Sequence, residues 1–138
     1  MEQVNARRVK SAVVDSVVAH ARRIAPDECC GVLIGDADSV LDAVPARNIA
    51  DRPTVRFLID PKDHLAALRD ARSRGLDIVG FYHSHPRSAA IPSETDLVEA
   101  SYPHHLFLIV SLKDATPDLQ LYWFLDGNFL PTPFVTVA

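Results

Sequence analysis

Cysteine is scarce in this chain of 138 residues, and both copies, Cys29 and Cys30, are adjacent. Neighbours in sequence rarely bridge, because disulfide geometry strains the peptide between them, so no disulfide scaffold is available. Long apolar runs are missing too. The longest candidates are strand-length pieces such as Leu106 to Val110, far short of the roughly 20 residues that cross a bilayer. The first ten residues are polar, without the apolar core and small-residue cleavage site of an export signal. Together with the unpaired cysteines this leads us to expect a cytoplasmic protein with no membrane association. Excess basic charge is also absent: the formal net charge is −4, which leaves no stripe to grip a phosphate backbone and makes nucleic acid a poor partner. No internal repeat, low-complexity stretch or linker interrupts the chain, and no residue marks a dimer interface.

The chain does contain enough apolar residues, 48%, to build a core of its own, and its length suits one domain over residues 1–138. From Val9 to Ala25, apolar side chains at Val13, Val14, Val17, Val18, Ala21 and Ile24 recur every three or four positions, which predicts an amphipathic helix ended near Pro26. Cys30 to Ile34 and Val40 to Val44 read as a hairpin across the turn at Gly35 to Asp38. Asn48 to Thr54 reads as loop and Val55 to Ile59 as another strand. Asp60-Pro61 then opens a second helix that runs to about Arg74 and is closed by Gly75. Asp77 to Tyr82 is expected as a buried strand whose end delivers His83-Ser84-His85. A third, short helix is expected from Ser93 to about Ser101, with Asp96 in its first turn. Leu106 to Leu112 and Leu119 to Leu125 follow as strands, and Asp126-Gly127-Asn128 turns the chain into a last strand toward Val137. Helices interspersed with strands imply an α/β architecture with a central mixed sheet and helices on its faces.

The sharpest chemical feature is His83-Ser84-His85 followed, after ten intervening residues, by Asp96. Residues two apart on a strand point to the same side, so both imidazoles can face one ion. Two histidines and one carboxylate make a catalytic zinc set, which leaves the fourth position for water. The water still needs a base, and Glu28, just before the Cys30 to Ile34 strand, is the candidate. The other histidines, His20, His64, His104 and His105, read as structural, and Cys29 and Cys30 as core residues.

The segment Gly80-Phe-Tyr-His-Ser-His-Pro with Pro92-Ser-Glu-Thr-Asp96 resembles the H-x-H-x(10)-D signature of the JAMM (MPN+) metallopeptidases. Pro26-Asp-Glu-Cys-Cys-Gly-Val-Leu-Ile-Gly35 resembles the first strand of that family, which carries the catalytic glutamate. The resemblance implies a cytidine-deaminase-like three-layer α/β/α fold. It further implies one zinc held by His83, His85 and Asp96, with Glu28 as general acid/base and Ser93 helping to stabilise the oxyanion. The chain lacks the long insertions of the eukaryotic deubiquitinases and looks closer to the compact prokaryotic branch. The expected substrate is therefore a small ubiquitin-like or sulfur-carrier protein ending in Gly-Gly, with release of cysteine favoured. Its extended tail is expected to add as a strand to an exposed sheet edge beside the zinc. The alternatives are a desampylase or deubiquitinase-like isopeptidase acting on lysine conjugates, a non-catalytic module that binds the Gly-Gly tail, and, more distantly, a peptidoglycan peptidase.

Overall fold

The computed structural model of the chain describes residues 6–99 and 102–138. Eight strands form one mixed sheet in the order β7-β6-β5-β4-β2-β3-β1-β8. They are β1 (Arg7–Lys10), β2 (Cys30–Gly35), β3 (Ser39–Ala46), β4 (Asp77–His85), β5 (His105–Ser111), β6 (Asp118–Leu125), β7 (Asn128–Pro131) and β8 (Phe134–Val137). The described residues also form three helices, α1 (Ser11–Ile24), α2 (Pro61–Ser73) and α3 (Glu94–Glu99). Among the described residues no helix is long and apolar enough to cross a membrane.

The two longer helices cover opposite faces of the sheet. Val13, Val17 and Ala21 of α1 pack with Leu33, Tyr82, Leu108 and Leu121, whereas Ala67 and Ala71 of α2 pack with Val32, Ile34, Phe81 and Ile109. Alternation along each strand sorts these side chains, so Phe81 faces α2 and Tyr82 faces α1. The expected three layers are thus present. Tyr82 lies beneath Gly31, where any Cβ would collide with its ring, and its hydroxyl hydrogen-bonds His20 Nδ1 at 2.8 Å. His20 is therefore structural, as expected. Gly80 is demanded for another reason: a Cβ there would strike the Leu106 carbonyl, so glycine permits the close approach of β5 to β4.

Three expectations change. Val9 and Lys10 belong to a strand rather than to the first helix, because Val9 pairs with Val40 of β3 and Thr136 of β8. Its spacing to Val13 mimics a helical period, yet the backbone at Lys10 is extended. Val55 to Ile59 is not a strand; only an isolated bridge joins Ile59 to Asn48. The Asn48 side chain replaces a ladder here, accepting from the N–H groups of Ala50 and Leu58 and donating to the carbonyls of Glu28 and Arg56, each at 3.0 Å. The last strand is two strands at opposite ends of the sheet. Pro131, the last residue of β7, and Pro133, just before β8, lack N–H groups and mark the break, so that β7 pairs with β6 and β8 with β1. The third helix spans Glu94–Glu99, and the expected end at Ser101 lies outside the described residues.

The expected free sheet edge beside the histidines is likewise not found among the described residues. β4 is paired on both sides, antiparallel to β2 and parallel to β5, and the open edges are β7 and β8 at the two ends of the sheet.

Candidate metal centre and active site

β4 ends in Tyr-His-Ser-His, and its pleat divides those residues between the two faces of the sheet. His83 and His85 share the α2 face with Phe81, while Ser84 points the other way. Ser84 is used there: its hydroxyl accepts the Cys29 N–H at 2.7 Å, and its own N–H donates to the Cys29 carbonyl at 3.1 Å. That clamp, with the pairing of Cys30 opposite His83, brings the start of β2 alongside the end of β4 and carries Glu28 to the histidines. Two further backbone bonds hold Glu28. Its N–H donates to the Pro53 carbonyl at 2.7 Å, and its carbonyl accepts from Asn48. The segment between β3 and α2 is thereby tied to the residue it surrounds.

Asp96 arrives from the other direction. Ser93 is the N-cap of α3, its hydroxyl accepting the Asp96 N–H at 3.0 Å while Asp96 Oδ2 accepts the Ser93 N–H at 2.9 Å. This reciprocal pair is a capping box with aspartate in place of the usual glutamate, and it fixes the carboxylate in the first turn. Ser93 thus caps the helix that carries Asp96.

The four groups meet. Ligand atoms of Glu28, His83, His85 and Asp96 all lie within 4.8 Å of one another, and all four residues are buried. Within the group, His83 Nε2, His85 Nε2 and Asp96 Oδ2 form a triangle with edges of 3.2, 3.1 and 3.1 Å. Two donors about 2.0–2.2 Å from a shared tetrahedral ion are separated by about 3.3–3.6 Å, so the triangle is within a few tenths of an ångström of a metal-binding face. The tautomers point the same way. His85 Nδ1 lies 2.8 Å from the Ala89 carbonyl, which can only accept, so the neutral ring carries its proton on Nδ1. Its Nε2 then aims a lone pair at a carboxylate oxygen and at a second imidazole. Such an arrangement calls for a shared positive centre, and these side chains fit a metal ion.

The charges agree with that use. Burial opposes ionisation of Asp96, yet the hydrogen bonds from His83 and His85 outweigh it and hold the carboxyl well below its ordinary range. Burial depresses the His83 imidazole, with Asp96 offsetting only part of the effect. For His85 burial also works against protonation, but Asp96 and the Ala89 carbonyl prevail and its pKa lies above the ordinary value. Cys29 and Cys30 are kept out of this chemistry. Burial pushes their thiols up to about 11 and about 12, leaving them protonated core residues rather than thiolate ligands.

Three contributors escape a reading of the sequence. Phe57 stacks on the His83 ring, with centroids 4.4 Å apart and planes at 22°. Asn48 braces the backbone of Glu28, and the Ala89 carbonyl orients His85. No local pattern flags Phe57 or Asn48, since each acts across the fold; Ser84 at least stands between the two histidines.

A family model described as prokaryotic homologs of the JAB domain matches residues 10–125. The chain is 46% identical over 103 residues to a desampylase of Haloferax volcanii, covering 70% of this chain and 74% of that protein. It is 34% identical over 128 residues to a CysO-cysteine peptidase of Mycobacterium tuberculosis, covering 91% and 87% respectively. Among solved structures, the solution structure of protein DSY2949 from Desulfitobacterium hafniense superposes with a TM-score of 0.85 at 30% identity, covering 94% of this chain and 92% of that one.

Proposed function

The chain belongs to the prokaryotic homologues of the JAB domain, and from that premise we propose that it is a zinc-dependent JAMM peptidase that hydrolyses the amide bond after the C-terminal Gly-Gly of a small ubiquitin-like or sulfur-carrier protein. The observation that carries this reading is the convergence of Glu28, from a segment far away in sequence, with His83, His85 and Asp96 in one buried cluster. Relatives named for acting on small proteins of this kind, a desampylase and a CysO-cysteine peptidase, support the substrate class. The two buried free thiols suit a reducing compartment, the cytoplasm in this reading.

His83 and His85 would hold the zinc through their Nε2 atoms, and Asp96 would hold it through Oδ2, offsetting part of its charge. When bound, zinc supplies Lewis acidity, polarising a carbonyl and bringing the pKa of a water to about 7. Glu28 takes the proton from the attacking water. It then returns that proton to the nitrogen of the departing amine, which leaves poorly without it. Ser93 spends one lone pair on the Asp96 N–H and keeps its hydroxyl hydrogen. That hydrogen is available to donate to the oxyanion. Phe57 and the Ala89 carbonyl keep the two imidazoles in their orientations.

The test is to incubate the zinc-loaded protein with a Gly-Gly-terminated carrier coupled through its C-terminal carboxyl to an amine, and to follow intact mass. The expected result is loss of the amine and recovery of the free Gly-Gly carboxylate. An adduct that stays whole beside an active control peptidase contradicts the reading.

A further inference from the structure

Residues 86–92 link one candidate ligand, His85, to Ser93, the cap of the helix that carries another, Asp96. They form neither helix nor strand, so their backbone polar groups have no ladder to pair with. Three successive carbonyls in this loop are nevertheless each taken by a side chain of the sheet. Ser88 accepts from the Ser111 hydroxyl of β5 at 2.6 Å, Ala89 from His85 Nδ1 of β4 at 2.8 Å, and Ala90 from the Tyr122 hydroxyl of β6 at 2.7 Å. The register explains how three strands reach one loop. Ser111 pairs with His85 in the parallel ladder and Tyr122 pairs with Phe107, so all three donors stand on the α2 face.

Both outer donors are buried, and each is committed to the loop. Burial, with Asp118 nearby, raises the Tyr122 pKa, which keeps the phenol protonated and able to donate. Ser111 is used twice, its oxygen also accepting the Lys113 N–H at 3.2 Å. Satisfying buried carbonyls would by itself account for such bonds. What sets these apart is their order along the chain. A peptide unit is planar, so fixing the carbonyls of Ser88 and Ala90 leaves the unit between them little freedom to turn. That middle unit carries the Ala89 carbonyl, which holds the His85 ring and leaves the lone pair on Nε2. The pinned loop then runs through Pro92 into Ser93, whose reciprocal bonds fix Asp96.

We propose that Tyr122 and Ser111 are positioning residues of the metal centre: acting through the carbonyls of Ser88 and Ala90, they hold His85 and Asp96 at the spacing a zinc ion needs, although neither is itself a ligand. This step rests on the metal assignment made above. Loss of a group that hydrogen-bonds a ligand directly typically costs roughly 10–100-fold in metal affinity. Tyr122 and Ser111 each act one link further out, through the peptide units beside the Ala89 carbonyl, so the lower end of that range applies to each.

The experiment measures zinc affinity of the full chain by competition with a chromophoric chelator, at a temperature where circular dichroism shows every variant folded. Tyr122→Phe removes one hydroxyl and leaves the ring, and Ser111→Ala removes the other. Tyr82→Phe is the control, because it deletes a hydroxyl that is also buried but bonds His20 Nδ1 at 2.8 Å on the opposite face of the sheet. Zinc is expected to bind about tenfold more weakly to Tyr122→Phe and to Ser111→Ala, and within about twofold of wild type to Tyr82→Phe. The visible spectrum of the cobalt-substituted protein follows coordination geometry. It is expected to change in the first two variants and to match wild type in the control. Wild-type affinity with an unchanged spectrum in either variant overturns the proposal for that residue. An equal loss in Tyr82→Phe overturns it for both, since the effect would then be one of general stability. Failure of the wild-type chain to bind zinc overturns the metal assignment and this step with it, a pattern distinct from tight binding that the variants leave unaltered.

Discussion

Glu28→Gln is expected to retain stoichiometric zinc while turnover falls by about 10²–10⁴-fold. The substitution is chosen because it changes one property. Glutamine fills the same volume at a site only 5% exposed. The tethers around the residue use backbone atoms of Glu28 and Cys29, so the Pro53, Asn48 and Ser84 bonds remain. What is lost is the ability to take a proton from water and return it to the leaving nitrogen. Zinc content by elemental analysis and kcat on a Gly-Gly adduct separate the possible roles. Activity close to wild type removes Glu28 from proton transfer, and zinc lost along with activity makes Glu28 a ligand rather than a base.

Asp96→Asn is the second large effect and should strike in the opposite order, with metal lost first and activity as a consequence. Asp96 Oδ2 is one corner of the donor triangle and its negative charge is the only one there, with both imidazoles neutral when they ligate. Asparagine keeps the side-chain shape and an oxygen that can accept the Ser93 N–H, so the cap of α3 is largely preserved. Loss of a group that merely orients a ligand typically costs 10–100-fold in metal affinity. Loss of a direct, charged donor should cost on the order of 100-fold or more. Competition with a chromophoric chelator measures this without reference to activity. Wild-type zinc affinity in the variant contradicts the ligand assignment.

The elements that sequence reading recovers are those whose signals are local. The 3.6 period of α1, the Asp60-Pro61 opening of α2 and the turn that fastens Asp38 and Ser39 to the Asp36 carboxylate each lie within a few residues of the structure they specify. The elements that escape are decided by distant partners. Val9 extends because Val40 and Thr136 flank it, and neither neighbour is visible from the first ten residues. Val55 to Ile59 has strand-like composition, but its backbone bonds go to the Asn48 amide, to Arg52 and to Ile49 rather than to a neighbouring strand. The same division runs through the candidate site. His83, His85 and Asp96 sit within one stretch of chain, so their spacing can be read directly. Glu28 joins them only through the antiparallel register that sets Cys30 opposite His83, and spacing alone cannot supply that. Phe57 is further removed still, since it reaches the His83 ring from the segment between β3 and α2.

Crystals of the zinc-loaded protein, with anomalous data on both sides of the zinc edge, address the account most directly. A single strong peak is predicted about 2.0–2.2 Å from His83 Nε2, His85 Nε2 and Asp96 Oδ2, with the Glu28 carboxylate near the ion but not bonded to it. Zinc absent from that triangle, or seated on other side chains, contradicts the account.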